Sequence, residues 1–454
     1  MTGTDRLNGQ RGRSWWSAPL LGLVVAGLAG CGGLLDIDNP NSVPGDAIKD
    51  PTAATALVNG ALRQTGFGVA AVHLVYATAT DELDWSGSRD GWRELEQGKF
   101  SNGYNEFTDA AMPQMAEGRW LADEAIKTLE AQQTGGTLVS TTDLARAYVY
   151  GAIAYITIAD MFEDWALSDR RTSAAPVGTA AMGGFYDVAI GYLTKATPLA
   201  GTLSSTNALA LQVRALRARA SFSRAIWDLV GKRPIAASHL VTAASPYVTN
   251  AVTDAQAVLA VVPSPTWTYT LNWSSATGEP DHSAWIQQRQ EMRIGKAYAT
   301  PNPTSATWLD ATVLMDPINT TTKAAAVDAW QKAYKVRYAS FVVTSAREMH
   351  LIIAEARLAA GDNPGFTTAI NALRALDAGL TPYSGQITAE AMLAYSRQAN
   401  LFLQGRRLSD HYRFRLPAAD WLPGSQGLAG GWFFPITARE CLSNSEIGAA
   451  KCST

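Results

Sequence analysis

Apolar residues recur at helical spacing in five long stretches of this chain. In TTDLARAYVYGAIAYITIADMF, residues 141–162, Leu144, Tyr148, Ala152, Tyr155, Ile156 and Ala159 fall on one stripe at i, i+3/i+4 spacing. Thr142 is the expected N-cap, with Asp143 in the first turn. A second stretch, 208–229, sets Arg214, Arg217 and Arg224 away from Leu209, Val213, Leu216 and Ala220. The third, 345–362, stops at Gly361, and the fourth, 366–380, stops at Gly379. The fifth, 389–405, ends at Gly405. Helices in neighbouring pairs with Ala and Gly at contact positions predict stacked helix–turn–helix units of the tetratricopeptide sort, without that repeat's strict ~34-residue consensus. Strand patterns are sparse. Two aromatic regions, 76–108 and 262–310, are read as long loops. Loops of that length are usually functional or disordered, and Trp-rich ones argue against disorder.

The N-terminus departs from this pattern. Arg6, Arg11 and Arg13 precede an apolar run, 18–30, too short to span a bilayer. The run ends in LAGC, residues 28–31. This is a secretory signal peptide over 1–30, and its end resembles the lipobox of bacterial lipoproteins. The resemblance implies cleavage before Cys31 and acylation of Cys31, which anchors a protein to a membrane. The polar segment up to residue 50 reads as a tether, and 51–454 as a single unit. Of 3 Cys in the chain, Cys441 and Cys452 then remain. Export permits a disulfide between them, and the even remainder favours one. A metal site is the alternative, weakened by the lack of a nearby His.

Composition narrows the function. The chain has 454 residues, 47% hydrophobic, with a formal net charge of −3, so no bulk basic field invites nucleic acid. None of the 5 His pairs with another at i+3 or i+4, and no HExxH, GxSxG or Walker A sequence occurs. No cofactor and no metal is expected. The sequence DIDNPN begins like a calcium loop but has Pro40 at the fifth position and lacks the Gly. Asp81, Glu82, Asp84 and Asp90 raise the question of a glycan hydrolase, with Glu94 or Glu291 as the distant acid such chemistry needs. The first three are too near in sequence to face one another across a sugar.

The aromatic loops suggest binding instead. Trp85 and Trp92 alternate with Asp84, Ser86, Arg89 and Asp90, while Trp267, Tyr269, Trp273 and Trp285 accompany Asn272, Asp281 and Arg289. An indole covers the C–H face of a sugar ring, and polar side chains bond its hydroxyl rim. The ligand-binding candidates are therefore Trp85, Arg89, Asp90, Trp92, Trp267, Tyr269, Trp273 and Trp285. Their other role would be to fill the cores of long loops.

Near the C-terminus, QGRRLSDHYRF gathers Arg406, Arg407, Asp410, His411 and Arg413. Arg407 and Arg413 flank Asp410 at i±3, the spacing of a helical ion-pair network. The segment closes an ordered set: REMHLIIAEARLAAGD, then AINALRALDAGL, then RQANLFLQGRRLSDHYRF, then WFFPITAREC. With TDELDW, LARAYVYGAIAY and the lipobox upstream, this succession resembles the SusD/RagB family of outer-membrane nutrient-binding lipoproteins. Glu348, Leu351, Ala354, Glu355 and Ala356 fit the family's first motif, and Asn371 and Arg374 its second. Arg397, Leu401, Gly405, Arg407, Asp410 and Arg413 fit the third; Phe434, Pro435, Ile436 and Glu440 fit the closing one. Asn400, Gln404 and Thr437 depart from it.

The resemblance implies a mostly α fold, with tetratricopeptide-like pairs in a right-handed superhelical scaffold and a loop-rich ligand face. It also makes the charged segment scaffold rather than a catalytic centre. It further implies a non-catalytic protein at the cell exterior, capturing a nutrient oligomer, in first place a glycan, for a TonB-dependent SusC-like transporter. RagB-like peptide capture, a surface glycan hydrolase and a scaffold without a small ligand are the alternatives.

Overall fold

The structure is a computed structural model describing residues 49–169, 172–301 and 310–448. The chain divides into a unit Met1–Asp50 and a unit Pro51–Thr454, and every element below lies in the second. It begins with α1 (Ala54–Thr78), β1 (Leu83–Trp85), α2 (Asp90–Glu96), α3 (Glu106–Thr134), α4 (Thr141–Met161), α5 (Gly183–Leu199), α6 (Ala208–Val230) and α7 (Pro246–Leu259). A strand-bearing stretch follows, with β2 (Thr268–Leu271), β3 (Met292–Ile294), β4 (Ala299–Thr300), β5 (Ala311–Thr312), α8 (Ala325–Tyr334) and β6 (Phe341–Ser345). The chain then forms α9 (Ala346–Ala359), α10 (Asn363–Arg374), α11 (Ala389–Asn400), α12 (Arg407–Phe414) and α13 (Ala438–Ser443).

The fold is mostly helical, and its helices pair as the small-residue pattern predicts. α1 packs on α3, α4 on α5, α6 on α7 and α9 on α10, and each pair packs on the next. The first pair approaches closely at two glycines. A Cβ on Gly68 would stand 2.7 Å from the Met115 backbone, and one on Gly118 would stand 2.9 Å from that of Thr65. The α4 stripe is buried as expected, but so is nearly every other face of that helix, because α1, α3, α5 and α6 surround it. Its N-cap is Ser140, not Thr142: the Ser140 hydroxyl accepts from the Asp143 N–H. Arg214 and Arg217 do not simply face solvent. Both reach Asp254 on α7, at 2.7 and 2.6 Å, and so tie the third pair together.

The two regions read as loops are partly structured and meet. Residues 76–78 end α1 and 106–108 begin α3, with β1 and α2 between. β1 pairs antiparallel with β3, placing Leu83 opposite Ile294 and Trp85 opposite Met292. β2 pairs with β6, with an irregularity between Tyr269 and Thr270. The second insertion is therefore fastened at one end to the first and at the other to the strand leading into α9.

The charged segment forms α12 and is buried. Asp410 accepts from Arg397 at 2.9 Å and from Arg413 at 3.0 Å. Arg407 does not pair with Asp410, as the i±3 spacing suggested; it reaches Asp81 with bonds of 2.7 and 2.6 Å. Arg413 also binds Glu355 of α9, and Arg406 joins Asp160 of α4 (2.7 Å) to Glu348 of α9 (3.2 Å). Burial raises the Asp410 carboxyl, but Arg397 and Arg413 outweigh it and hold the group below its ordinary range. These side chains connect α4, α9, α11 and α12. The Gly405 turn before α12 has φ +71°, and a Cβ there would lie 2.2 Å from the His73 ring.

Candidate functional site

The first half of α1 leaves one face uncovered. Asn59, Leu62, Arg63, Gly66 and Phe67 recur there at i, i+3, i+4, i+7 and i+8, the spacing of a single helical face. Tyr150 of α4, Gln212 of α6 and residues of β2 and the turn after it complete a cleft of about 540 Å³. Its walls are aromatic. Phe67 and Trp273 meet edge to face with ring centroids 6.5 Å apart, and Tyr150 and Tyr269 also line the space. Burial, reinforced by Tyr150, pushes the Tyr269 phenol above its ordinary range, so it remains an O–H donor.

Amides supply the polar groups. The Asn272 Oδ1 accepts from Ser340 (2.7 Å) and Thr270 (3.0 Å), which fixes the amide plane. Asn59 Oδ1 accepts from Arg146 Nη2 at 2.7 Å, and Arg146 Nε donates to the Tyr150 hydroxyl at 3.2 Å. The ring of Phe67 lies under the Arg63 guanidinium, 4.8 Å from its centroid. Such a cleft can hold an amphipathic ring by stacking and fix its orientation by hydrogen bonds.

Solved structures share this architecture. A SusD superfamily protein from Parabacteroides distasonis superposes with a TM-score of 0.61 at 14% identity, over 87% of this chain and 98% of that one. One from Bacteroides fragilis gives 0.60 at 12%, over 88% and 99%. A SusD-like carbohydrate binding protein from Bacteroides vulgatus gives 0.55 at 12%, over 89% and 98%. The fold is that of the SusD superfamily. No family model matches the sequence, and no curated protein matches it.

Within this SusD-like fold the sequence candidates separate. Tyr269 and Trp273 line the cleft. Trp92 does not: it is 1% exposed, stacked on Phe107 at 3.6 Å and set edge-on to Trp285 at 5.2 Å. Trp285 is buried in the same cluster, with Arg289 4.3 Å from its ring centroid. Neither indole offers a face to a ligand, which corrects their assignment as platforms. Trp85 and Trp267 are half-buried against the core. Arg89 and Asp90 are exposed, and they pair with Glu106 and Arg93, at 3.5 and 3.1 Å. These two sit beside the Trp92 cluster rather than in the cleft.

The acids that raised the hydrolase question are occupied elsewhere. Asp81 binds Arg407, Glu82 accepts from the Leu403 N–H at 2.6 Å, and Asp84 accepts from the Lys296 N–H at 3.0 Å. Asn59, Arg63, Phe67, Tyr150 and Gln212 were not anticipated. The one signal for Asn59, Arg63 and Phe67 is the unmatched face of α1, legible only once α1 is known to be a helix; Tyr150 and Gln212 come from α4 and α6 and had none. Cys441 on α13 is disulfide-bonded; Cys452 and Cys31 lie outside the described residues.

Proposed function

We propose that this protein is a non-catalytic capture protein that holds a nutrient oligosaccharide in the cleft beside Trp273 and passes it to a TonB-dependent SusC-like transporter. In this reading it sits at the outer membrane, anchored through a lipid on Cys31, with Cys441 and Cys452 closing its C-terminal loop. The observation that carries the reading is the cleft itself: four aromatic side chains around amides with fixed planes, in a space within the ~300–1,000 Å³ range of small-molecule sites. The likeness in fold to a carbohydrate binding protein supports it. Cleavage by two carboxylates would need acids across the cleft, and none lines it among the described residues, which favours capture.

The test is calorimetric titration of oligosaccharides into the soluble form, paired with thermal melts. Trp273→Ala removes one aromatic wall and is expected to cost on the order of 1–3 kcal/mol of affinity, with a smaller loss of stability than Trp92→Ala because Trp273 is only partly buried. Trp92→Ala is expected to do the reverse, losing about 3–5 kcal/mol of stability while its folded fraction binds normally. Parent-like binding by the Trp273 variant would place the site elsewhere.

One observation favours a peptide as the second reading. β2 pairs with β6 alone among the described residues, and Thr270 and Leu271 of β2 line the cleft. Its free edge could pair with an extended backbone. Binding of peptides and of no glycan in a broad screen would establish that reading.

A further inference from the structure

We infer that the cleft selects a sugar bearing an anionic substituent, a carboxylate or a sulfate, and that Arg63 is the residue that recognises it. The inference rests on the oligosaccharide reading of the cleft and goes on to specify its ligand's charge. It starts from an imbalance. Among the described residues no Asp or Glu lines the cleft, whereas the guanidinium of Arg63 stands on its α1 face. The neighbouring Arg146 has a carboxylate partner, Asp143 at 2.8 Å. Arg63 has no carboxylate partner among the described residues, and its one contact of note is the Phe67 ring.

Hydrogen-bonding capacity leans the same way. The Oδ1 atoms of Asn59 and Asn272 are taken by Arg146, Ser340 and Thr270, and the Tyr150 oxygen accepts from Arg146. What these side chains offer in excess is donors: two amide Nδ2 groups and a phenolic O–H beside the guanidinium, against the second lone pair of Asn59 Oδ1 and the Gln212 amide oxygen as acceptors. A neutral sugar hydroxyl, which donates as well as accepts, leaves most of that donor excess unused. A carboxylate or sulfate only accepts, and the planar guanidinium matches its paired oxygens with two parallel bonds. The Phe67 ring beneath Arg63 helps to hold that fork in place, and the exposure of Arg63 keeps the desolvation cost of the ion pair small.

The experiment uses an array of immobilised neutral, hexuronate-bearing and sulfated oligosaccharides on matched backbones. It is probed with the parent soluble protein, Arg63→Gln and Arg63→Lys. The parent is expected to prefer an anionic probe over its neutral match by on the order of tenfold, a charge-assisted bond's contribution. Arg63→Gln should abolish that preference at an unchanged melting temperature, and Arg63→Lys should retain part of it. Whether the hexuronate or the sulfate arm responds identifies the substituent. Binding that favours neutral probes, or an anionic preference that survives Arg63→Gln, overturns the inference and leaves the oligosaccharide reading standing. Binding of no glycan on any arm overturns both.

Discussion

Asp81 and Glu82 are adjacent in sequence, both buried, and differ in charge state because their partners differ. Burial raises the Asp81 carboxyl, but His411 at 3.2 Å and Arg407 outweigh it and hold it well below the carboxylate range. Glu82 has only the Leu403 N–H on Oε1, while its Oε2 has no partner. Burial therefore pushes its pKa up to about 8, from 4.5 for the free side chain. A folded pKa above the unfolded one means stability that is complete below about pH 4.5 and is lost as pH rises through about 8. Glu82→Gln keeps the acceptor for Leu403 and cannot ionise. Its melting temperature should match the parent's near pH 4 and exceed it by a margin that widens as pH rises to 8. Parallel melting curves across that range would show that Glu82 is charged in the fold. At this same scale the sequence could not separate the tryptophans. Trp92 and Trp273 both sit among polar residues in loop-like sequence, and what divides them is the tertiary placement of Phe107 against one and Phe67 beside the other.

Elements were legible where one face alone is apolar. α10 buries a stripe and exposes the opposite side, while α6 and α9 bury a broader face and keep Arg214, Arg217, Arg224 and Arg347 partly covered, so period and caps reveal all three. α1 and α3, of 25 and 29 residues, gave no such signal. The second half of α1 is buried on every side from Gly68 to Thr78, which erases the stripe, and α3 carries Pro113 inside it. α12 is the reverse case: sequence order identified it as scaffold, and Arg413 does meet Asp410 at i+3, but Arg406 and Arg407 find Asp160 and Asp81 across 246 and 326 residues, which no local pattern shows. That pairing makes a specific prediction. Asp410→Ala strips Arg397 and Arg413 of a buried partner, while Arg407 keeps Asp81. Glu355 then remains as the one carboxylate for both buried guanidinium groups, and the loss of the second should cost on the order of 3–5 kcal/mol in urea denaturation, with ligand binding by the folded fraction unchanged. Lost binding at parental stability would instead give α12 a part in the site.

At the scale of the whole molecule, capture for a transporter requires that the binding unit be held at the membrane and yet bind there unaided. The two requirements are separable by design. Binding is assigned to residues of α1, α4, α6 and β2, all within the unit Pro51–Thr454. Among the described residues, no helix is long and apolar enough to cross a membrane. In the proposed reading attachment is through Cys31, where several acyl chains would give stable anchoring that a single chain would not. Cys31→Ala removes the acceptor thiol and should shift the protein from the membrane fraction to the soluble one, while its affinity for ligand remains that of the parent. The measurement is fractionation of cells lacking the partner transporter, so that docking to a barrel cannot hold the variant in place. Membrane retention of Cys31→Ala in those cells would locate the anchor in the protein's own surface instead of in a lipid. Release accompanied by loss of affinity would mean that the segment before Pro51 takes part in binding, and the two functions would then not be separable.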